Sequence, residues 1–124
     1  HIAFHFPQSR AAFTADSLMS AGCGRLFEGT PDQMWNSLSK LMALPADTLI
    51  CSGHEYTASN IRFALSVDPD NPALQARAAR VAAARAQGEA TVPVILSEEL
   101  ATNPFLRAKD ATDFARLRAL KDRF

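Results

Sequence analysis

Thr48-Leu49-Ile50-Cys51-Ser52-Gly53-His54-Glu55-Tyr56-Thr57 decides the fold of this chain. Thr48 to Cys51 is a short apolar run of strand formers and reads as a buried strand. Ser52 to Tyr56 then reads as a turn into a helix, with Gly53 free to bend sharply. Ahead of this stretch, Ile2 to Phe6 (IAFHF) predicts a strand, Pro7 to Arg10 a turn, and Ala11 to Ala15 a second strand, so the two form a hairpin. Ser20 to Thr30 holds three glycines and reads as a loop. Thr30-Pro31-Asp32 opens a helix, with a hydroxyl cap, proline in the first position and an acid in the first turn. Met34, Leu38, Leu41 and Met42 share one face of it, and Leu44-Pro45 stops it. Behind the stretch only helices are expected: one marked by Ile61, Ala64 and Leu65, one from Asn71-Pro72 to Gln87-Gly88, a turn at Ser97 to Leu100, and a last one over Ala111 to Leu120. The order predicts an α/β part followed by a helical part, with the boundary near His54 to Thr57.

Composition narrows the functions. The 124 residues carry 13 basic and 13 acidic side chains, which excludes the basic excess of a non-specific nucleic-acid binder. Apolar residues at 48% and charged ones at 21% match a globular chain rather than a disordered one. No apolar run approaches the roughly 18 residues of a membrane span. The start, HIAFHFPQSR, lacks the basic and apolar regions of a signal peptide. Two cysteines, Cys23 and Cys51, make no disulfide scaffold, so a cytoplasmic setting is expected. Charge is uneven: from Arg107 to Phe124 there are six basic residues to three acidic, which marks the tail as the anion-binding candidate.

Several residues could carry chemistry. Asp16 follows a strand directly, and His54 follows another. Carboxylate and imidazole at strand ends suit zinc, iron or manganese, although two ligands are too few for a site. Singly, each also fits a structural role in a turn. His5 alternates with Phe4 and Phe6 and reads as strand surface. Cys23 lies between two glycines and reads as a small residue in a tight loop. Gly22-Cys23-Gly24-Arg25 could cradle an anion with backbone N–H groups, but it lacks the lysine and hydroxyl of a P-loop. Arg118 and Lys121 lie three apart on a predicted helix and could grip a carboxylate; charge pattern alone favours a solvated face. Arg77 and Arg80 read the same way.

Five segments taken in order carry a resemblance: Phe13-Thr14-Ala15-Asp16-Ser17-Leu18, Ala21 to Thr30 (AGCGRLFEGT), Cys51 to Thr57 (CSGHEYT), Asn103 to Arg107 (NPFLR) and Arg118 to Phe124 (RALKDRF). The chain resembles glyoxalase II, the hydroxyacylglutathione hydrolases of the metallo-β-lactamase superfamily. The resemblance implies an α/β fold: the C-terminal part of a metallo-β-lactamase αβ/βα sandwich over residues 1–54, then an all-helical glutathione-binding domain over residues 55–124. It implies hydrolysis of S-D-lactoylglutathione to glutathione and D-lactate, the closing step of methylglyoxal detoxification. Two divalent metal ions are implied, zinc first, with iron or manganese as alternatives. They would promote attack of hydroxide on the thioester carbonyl and stabilise the oxyanion.

Carried over by position, Asp16 resembles the aspartate that bridges both metals, and His54 a histidine ligand of the second. Arg25 stands where the family has a lysine or arginine near glutathione. Phe27 stands at a tyrosine position and lacks its hydroxyl. Tyr56 resembles a tyrosine that contacts the glutathione backbone. Arg118 and Lys121 resemble the basic pair that holds the glycine carboxylate of glutathione. The departures are Ala15 in place of a glycine, and the absence of the family's T-H-x-H-x-D-H metal motif. Together with the missing initial methionine and a sheet too small to close, this leads to the expectation that the 124 residues are the C-terminal portion of a longer enzyme, inactive alone. The implied partners are a glutathione thioester and the N-terminal half of the same protein, with no nucleic acid and no membrane. The alternatives are another hydrolase of the superfamily, a persulfide dioxygenase, or a non-catalytic helical binding module.

Overall fold

The strand expected over Thr48 to Cys51 forms one residue later, and it is an inner strand of the main sheet. A computed structural model describes residues 3–15, 18–24 and 30–124. The elements run β1 (Phe4–Phe6), a 3-10 turn (Pro7–Ser9), β2 (Ala11–Ala15), β3 (Leu18–Met19), β4 (Gly22–Cys23), α1 (Pro31–Met42), β5 (Leu49–Ser52), α2 (Thr57–Val67), α3 (Pro72–Ala86), β6 (Val94–Ile95), α4 (Leu96–Thr102) and α5 (Ala111–Arg123). The main sheet has the order β1-β2-β5-β6.

β1 and β2 form the expected antiparallel hairpin, with Phe4 opposite Phe13 and Phe6 opposite Ala11. β2 and β5 are parallel, and the crossover between them carries α1. The helix starts as its sequence demands. Thr30 Oγ1 accepts a hydrogen bond from the Gln33 amide at 3.2 Å, and Gln33 Oε1 accepts one from the Thr30 amide at 3.0 Å. Met34 and Leu38 are buried on the predicted face, with Leu41 and Met42 packed beside them.

Two sequence expectations are corrected. The chain beyond Thr57 is not helical throughout: β6 pairs antiparallel with β5, with Ile50 opposite Val94, so residues of the helical part extend the sheet. The start of the stretch expected as a loop over Ser20 to Thr30 is not a loop either, and residues 25–29 of it lie outside the described residues. Gly22–Cys23 pairs with Leu18–Met19 as a second, small sheet. That pairing directs the Gly22 and Cys23 backbone into a ladder, not into an anion nest.

The two faces of the main sheet differ. Ala12, Ile50 and Val94 point into a core built with Leu38, Phe63, Leu96, Phe105, Phe114 and Leu117. This core joins residues from both parts of the chain. Trp35, Phe63, Phe105 and Phe114 form its aromatic spine, with ring centroids 5.8 Å apart along the series. The opposite face is apolar and open: Phe4, Phe6, Phe13 and Ile95 are 59%, 49%, 50% and 47% exposed.

Candidate functional site

Parallel pairing puts the ends of β2 and β5 at one edge of the sheet. Ala15 lies opposite Ser52, two residues before His54. Asp16 follows Ala15 in the sequence and lies outside the described residues, as do Arg25 and Phe27. His54 is exposed, and its ring stacks on that of Tyr56 with centroids 5.0 Å apart and planes 15° apart. Tyr56 itself is half exposed. An accessible imidazole at a strand end can serve as a metal ligand. Among the described residues, no group of three or more His, Cys, Asp or Glu could hold a metal ion.

The second part of the site is the β3–β4 hairpin and the residues after it. Its turn needs two unusual fits. Ala21 adopts a left-handed φ of 61°, and a Cβ on Gly22 would stand 2.7 Å from Asn60 Cγ. Side chains from three helices, α2, α4 and α5, bond the hairpin backbone, and one from α3 braces them. From α2, Asn60 Nδ2 donates to Ser20 O at 3.1 Å. From α4, Glu99 accepts the Ala21 N–H on both carboxylate oxygens, at 2.9 and 3.0 Å. Asn103, at the end of α4, donates to Gly22 O at 3.0 Å and to Glu99 Oε2 at 3.0 Å. From α3, Arg77 donates to Glu99 Oε1 at 2.6 Å, to Ser20 Oγ at 2.7 Å and to Thr102 Oγ1 at 2.7 Å. From α5, Arg118 Nη1 donates to Cys23 O at 2.8 Å and to Gly24 O at 3.2 Å.

This overturns the surface reading of Arg77, which is 2% exposed. The solvated-face alternative for Arg118 falls with it, at 3% exposed; its Nε and Nη2 also donate to Asp122 Oδ1 at 3.2 and 2.9 Å. Lys121, one turn on, is only partly buried, and its ammonium stands 5.5 Å from the Phe63 ring centroid and 5.6 Å from that of Phe124. Arg80 stays at the surface, paired with Glu98. Glu99, Asn103 and Asn60 were not singled out as site residues from the sequence. Helical phase could have exposed this set. Arg77 shares its face with Leu74 and Val81, Glu99 with Leu96 and Thr102, and Arg118 with Phe114.

Burial dominates the chemistry of Cys23. It pushes the thiol up to about 11, with Arg118 pulling the other way. At pH 8 only about one such thiol in a thousand is thiolate. Cys23 in the native full-length protein is therefore expected to resist a disulfide-exchange reagent at pH 8, and to react once denatured. Peptide mapping by mass spectrometry checks this, and native labelling at the rate of a free cysteine would contradict it.

Tyr56 and the side chains that clamp the hairpin, Asn60, Arg77, Glu99, Asn103 and Arg118, all lie beyond Glu55, while His54 is the residue just before it. The hydroxyacylglutathione hydrolase C-terminus family model matches residues 55–124. The chain belongs to this family. Relatives named hydroxyacylglutathione hydrolase match over the whole chain. That of Ruegeria pomeroyi is 64% identical, covering 100% of the chain and 54% of the relative. That of Jannaschia sp. is 61% identical over the same shares. That of Rhodospirillum rubrum is 60% identical over 92% of the chain and 44% of the relative. The chain spans about half the length of these curated relatives and corresponds to their C-terminal part. Among solved structures, ETHE1 from Myxococcus xanthus superposes with a TM-score of 0.57 at 23% identity, covering 90% of this chain and 36% of that one. That likeness shows that this mixed α/β chain shares its fold with part of that protein, which has the metallo-β-lactamase fold. For a hydroxyacylglutathione hydrolase C-terminus, the structure therefore brings His54 and Tyr56 together at the sheet edge, and gathers Arg118, Lys121 and Asp122 around Cys23.

Proposed function

We propose that this chain is the C-terminal part of a metal-dependent thioester hydrolase that cleaves S-D-lactoylglutathione to glutathione and D-lactate. The shared edge at Ala15 and Ser52 carries the proposal, because it brings the strand ends that precede Asp16 and His54 into register. Membership of the hydroxyacylglutathione hydrolase family supports the substrate class.

The residues present fit part of a metal site. His54 offers an exposed imidazole at a strand end, Asp16 offers a carboxylate, and the remaining ligands come from outside the chain. When bound, two divalent ions, zinc with iron or manganese as alternatives, supply Lewis-acid activation of water and of the thioester carbonyl. The chain's own residues position substrate. Tyr56 presents its phenol beside His54, for the glutathione backbone. Arg25 and Phe27 follow the clamped hairpin in the sequence and would flank the tripeptide; Phe27 has no hydroxyl to donate. Arg118 and Lys121 supply positive charge for the glycine carboxylate. The direct bonds of Arg118 shown by the structure go to the Cys23 and Gly24 carbonyls and to Asp122, so Lys121 is the more accessible donor.

The open apolar face of Phe4, Phe6, Phe13 and Ile95 supports the finer fold reading. In an αβ/βα sandwich a second sheet from the N-terminal half covers it. No helix among the described residues is long and apolar enough to cross a membrane. The proposed setting is the cytoplasm, where free Cys23 and Cys51 would stay reduced.

Hydrolysis of S-D-lactoylglutathione by the full-length protein tests the reading. The expected result is thioesterase activity that a chelator abolishes and zinc restores, with no activity from the 124-residue chain alone. A full-length protein that binds zinc and leaves the thioester intact would sink it.

A further inference from the structure

Glu55 stands between His54 and Tyr56, and neither the metal nor the substrate reading uses it. His54 and Tyr56 are two apart and stack on one another, so Glu55 leaves the opposite side of the same short connection. Its carboxylate meets the segment between α3 and β6. Oε1 accepts the Thr91 amide N–H at 2.5 Å, and Oε2 accepts the Thr91 hydroxyl. Arg85 lies 3.6 Å from Oε1 and also donates to Glu89 O at 2.8 Å, so it ties the same segment to the end of α3. That segment leads into β6, which pairs with β5. The two ends of the His54–Tyr56 connection are thus held by β5 and α2, and its middle by two hydrogen bonds to one residue. Tyr56, the residue before α2, makes no side-chain cap bond, and the Glu55 carboxylate also interacts with the Thr57 hydroxyl at that helix start.

We propose that Glu55 is a positioning residue: through Thr91 it sets the orientation of the His54 and Tyr56 rings. The proposal rests on the reading of His54 as a metal ligand and Tyr56 as a substrate contact only for its functional consequences, since the ring geometry itself is on the page. Two hydrogen bonds to an ionised acceptor hold a surface turn more firmly than neutral ones would. Without them the connection has only its ends, and both rings gain freedom.

The test uses the full-length protein with Glu55→Ala, Thr91→Val and Glu55→Gln. Thr91→Val deletes one hydroxyl and touches neither ring. Three readouts are taken: the ring-current shift of the His54 Cε1 proton by NMR, the dissociation constant for zinc alone, and KM and kcat for S-D-lactoylglutathione. In Glu55→Ala the ring-current shift should collapse toward that of a free imidazole, zinc binding should weaken about tenfold, and KM should rise more than kcat falls. Thr91→Val should move each readout part of the way, and Glu55→Gln, which keeps one oxygen for the Thr91 N–H but loses the charge and the second acceptor, should fall between Glu55→Ala and the parent. An unchanged ring-current shift in Glu55→Ala would overturn the proposal, as would a Glu55→Gln variant no closer to the parent than Glu55→Ala. The NMR arm needs neither metal nor activity. If the unsubstituted protein neither binds zinc nor cleaves the thioester while the ring-current shift still responds, the functional reading fails and the positioning role stands.

Discussion

Replacing Glu99 with alanine is expected to lower the unfolding free energy by about 3–5 kcal/mol, the cost of stranding a buried charge. Glu99 is fully buried and accepts from Arg77, from the Ala21 amide and from Asn103. Its loss leaves the Arg77 guanidinium with Glu98 as counter-charge, 3.8 Å from Nε and partly in solvent. It also leaves the Ala21 N–H, in its left-handed turn, without an acceptor. Exchanging both partners for apolar residues, Arg77→Met with Glu99→Leu, should cost less than Glu99→Ala alone, because no charge is left buried. Urea unfolding of the full-length protein measures both. A loss below about 1 kcal/mol for Glu99→Ala would mean the pair is solvated or replaceable.

The second large effect is on binding. Lys121→Ala should raise KM for S-D-lactoylglutathione by about tenfold or more, while kcat changes little. A charge-assisted bond to a remote carboxylate is worth about 1.5–3 kcal/mol, and partial exposure of Lys121 favours the lower end. Uniform loss of binding moves KM alone. The contacts of the ammonium with Phe63 and Phe124 cost only about 0.5–1 kcal/mol of stability when lost, so binding and folding effects separate. Added salt should raise KM in the parent protein and have less effect in the variant. Equal KM values for parent and variant would remove Lys121 from the substrate site. Arg118→Ala is the poorer test, since Arg118 also anchors the Cys23 and Gly24 carbonyls.

Elements whose cause is local were legible in the sequence. The first hairpin, the Thr30 cap and the Asn71 cap each follow from a few adjacent residues, and the structure has all three. β6 was not legible, because two paired residues, Val94 and Ile95, leave no alternation to detect. The clamp was hidden for a different reason. Arg77, Glu99 and Arg118 are charged, and charges default to the surface. Only their phase against Leu74, Leu96 and Phe114 marks them as inward. The roles proposed for His54, Tyr56 and Lys121 come from the resemblance; composition and spacing alone left each open. The shared edge of β2 and β5 needed the parallel register, which local sequence does not encode.

The clamp on the β3–β4 hairpin also constrains the order in which the chain can fold. Its hairpin groups lie at residues 19–24, while the side chains that meet them come from residues as far on as Arg118, separated from Cys23 by 95 positions. Contacts of that span form late, because a long loop must close before they return any free energy. The local hairpin of β1 and β2 can form early from neighbouring residues. The carbonyls of Cys23 and Gly24 must wait in water until α5 docks, so the segment that leads to Arg25 is among the last parts of the molecule to acquire its native bonds.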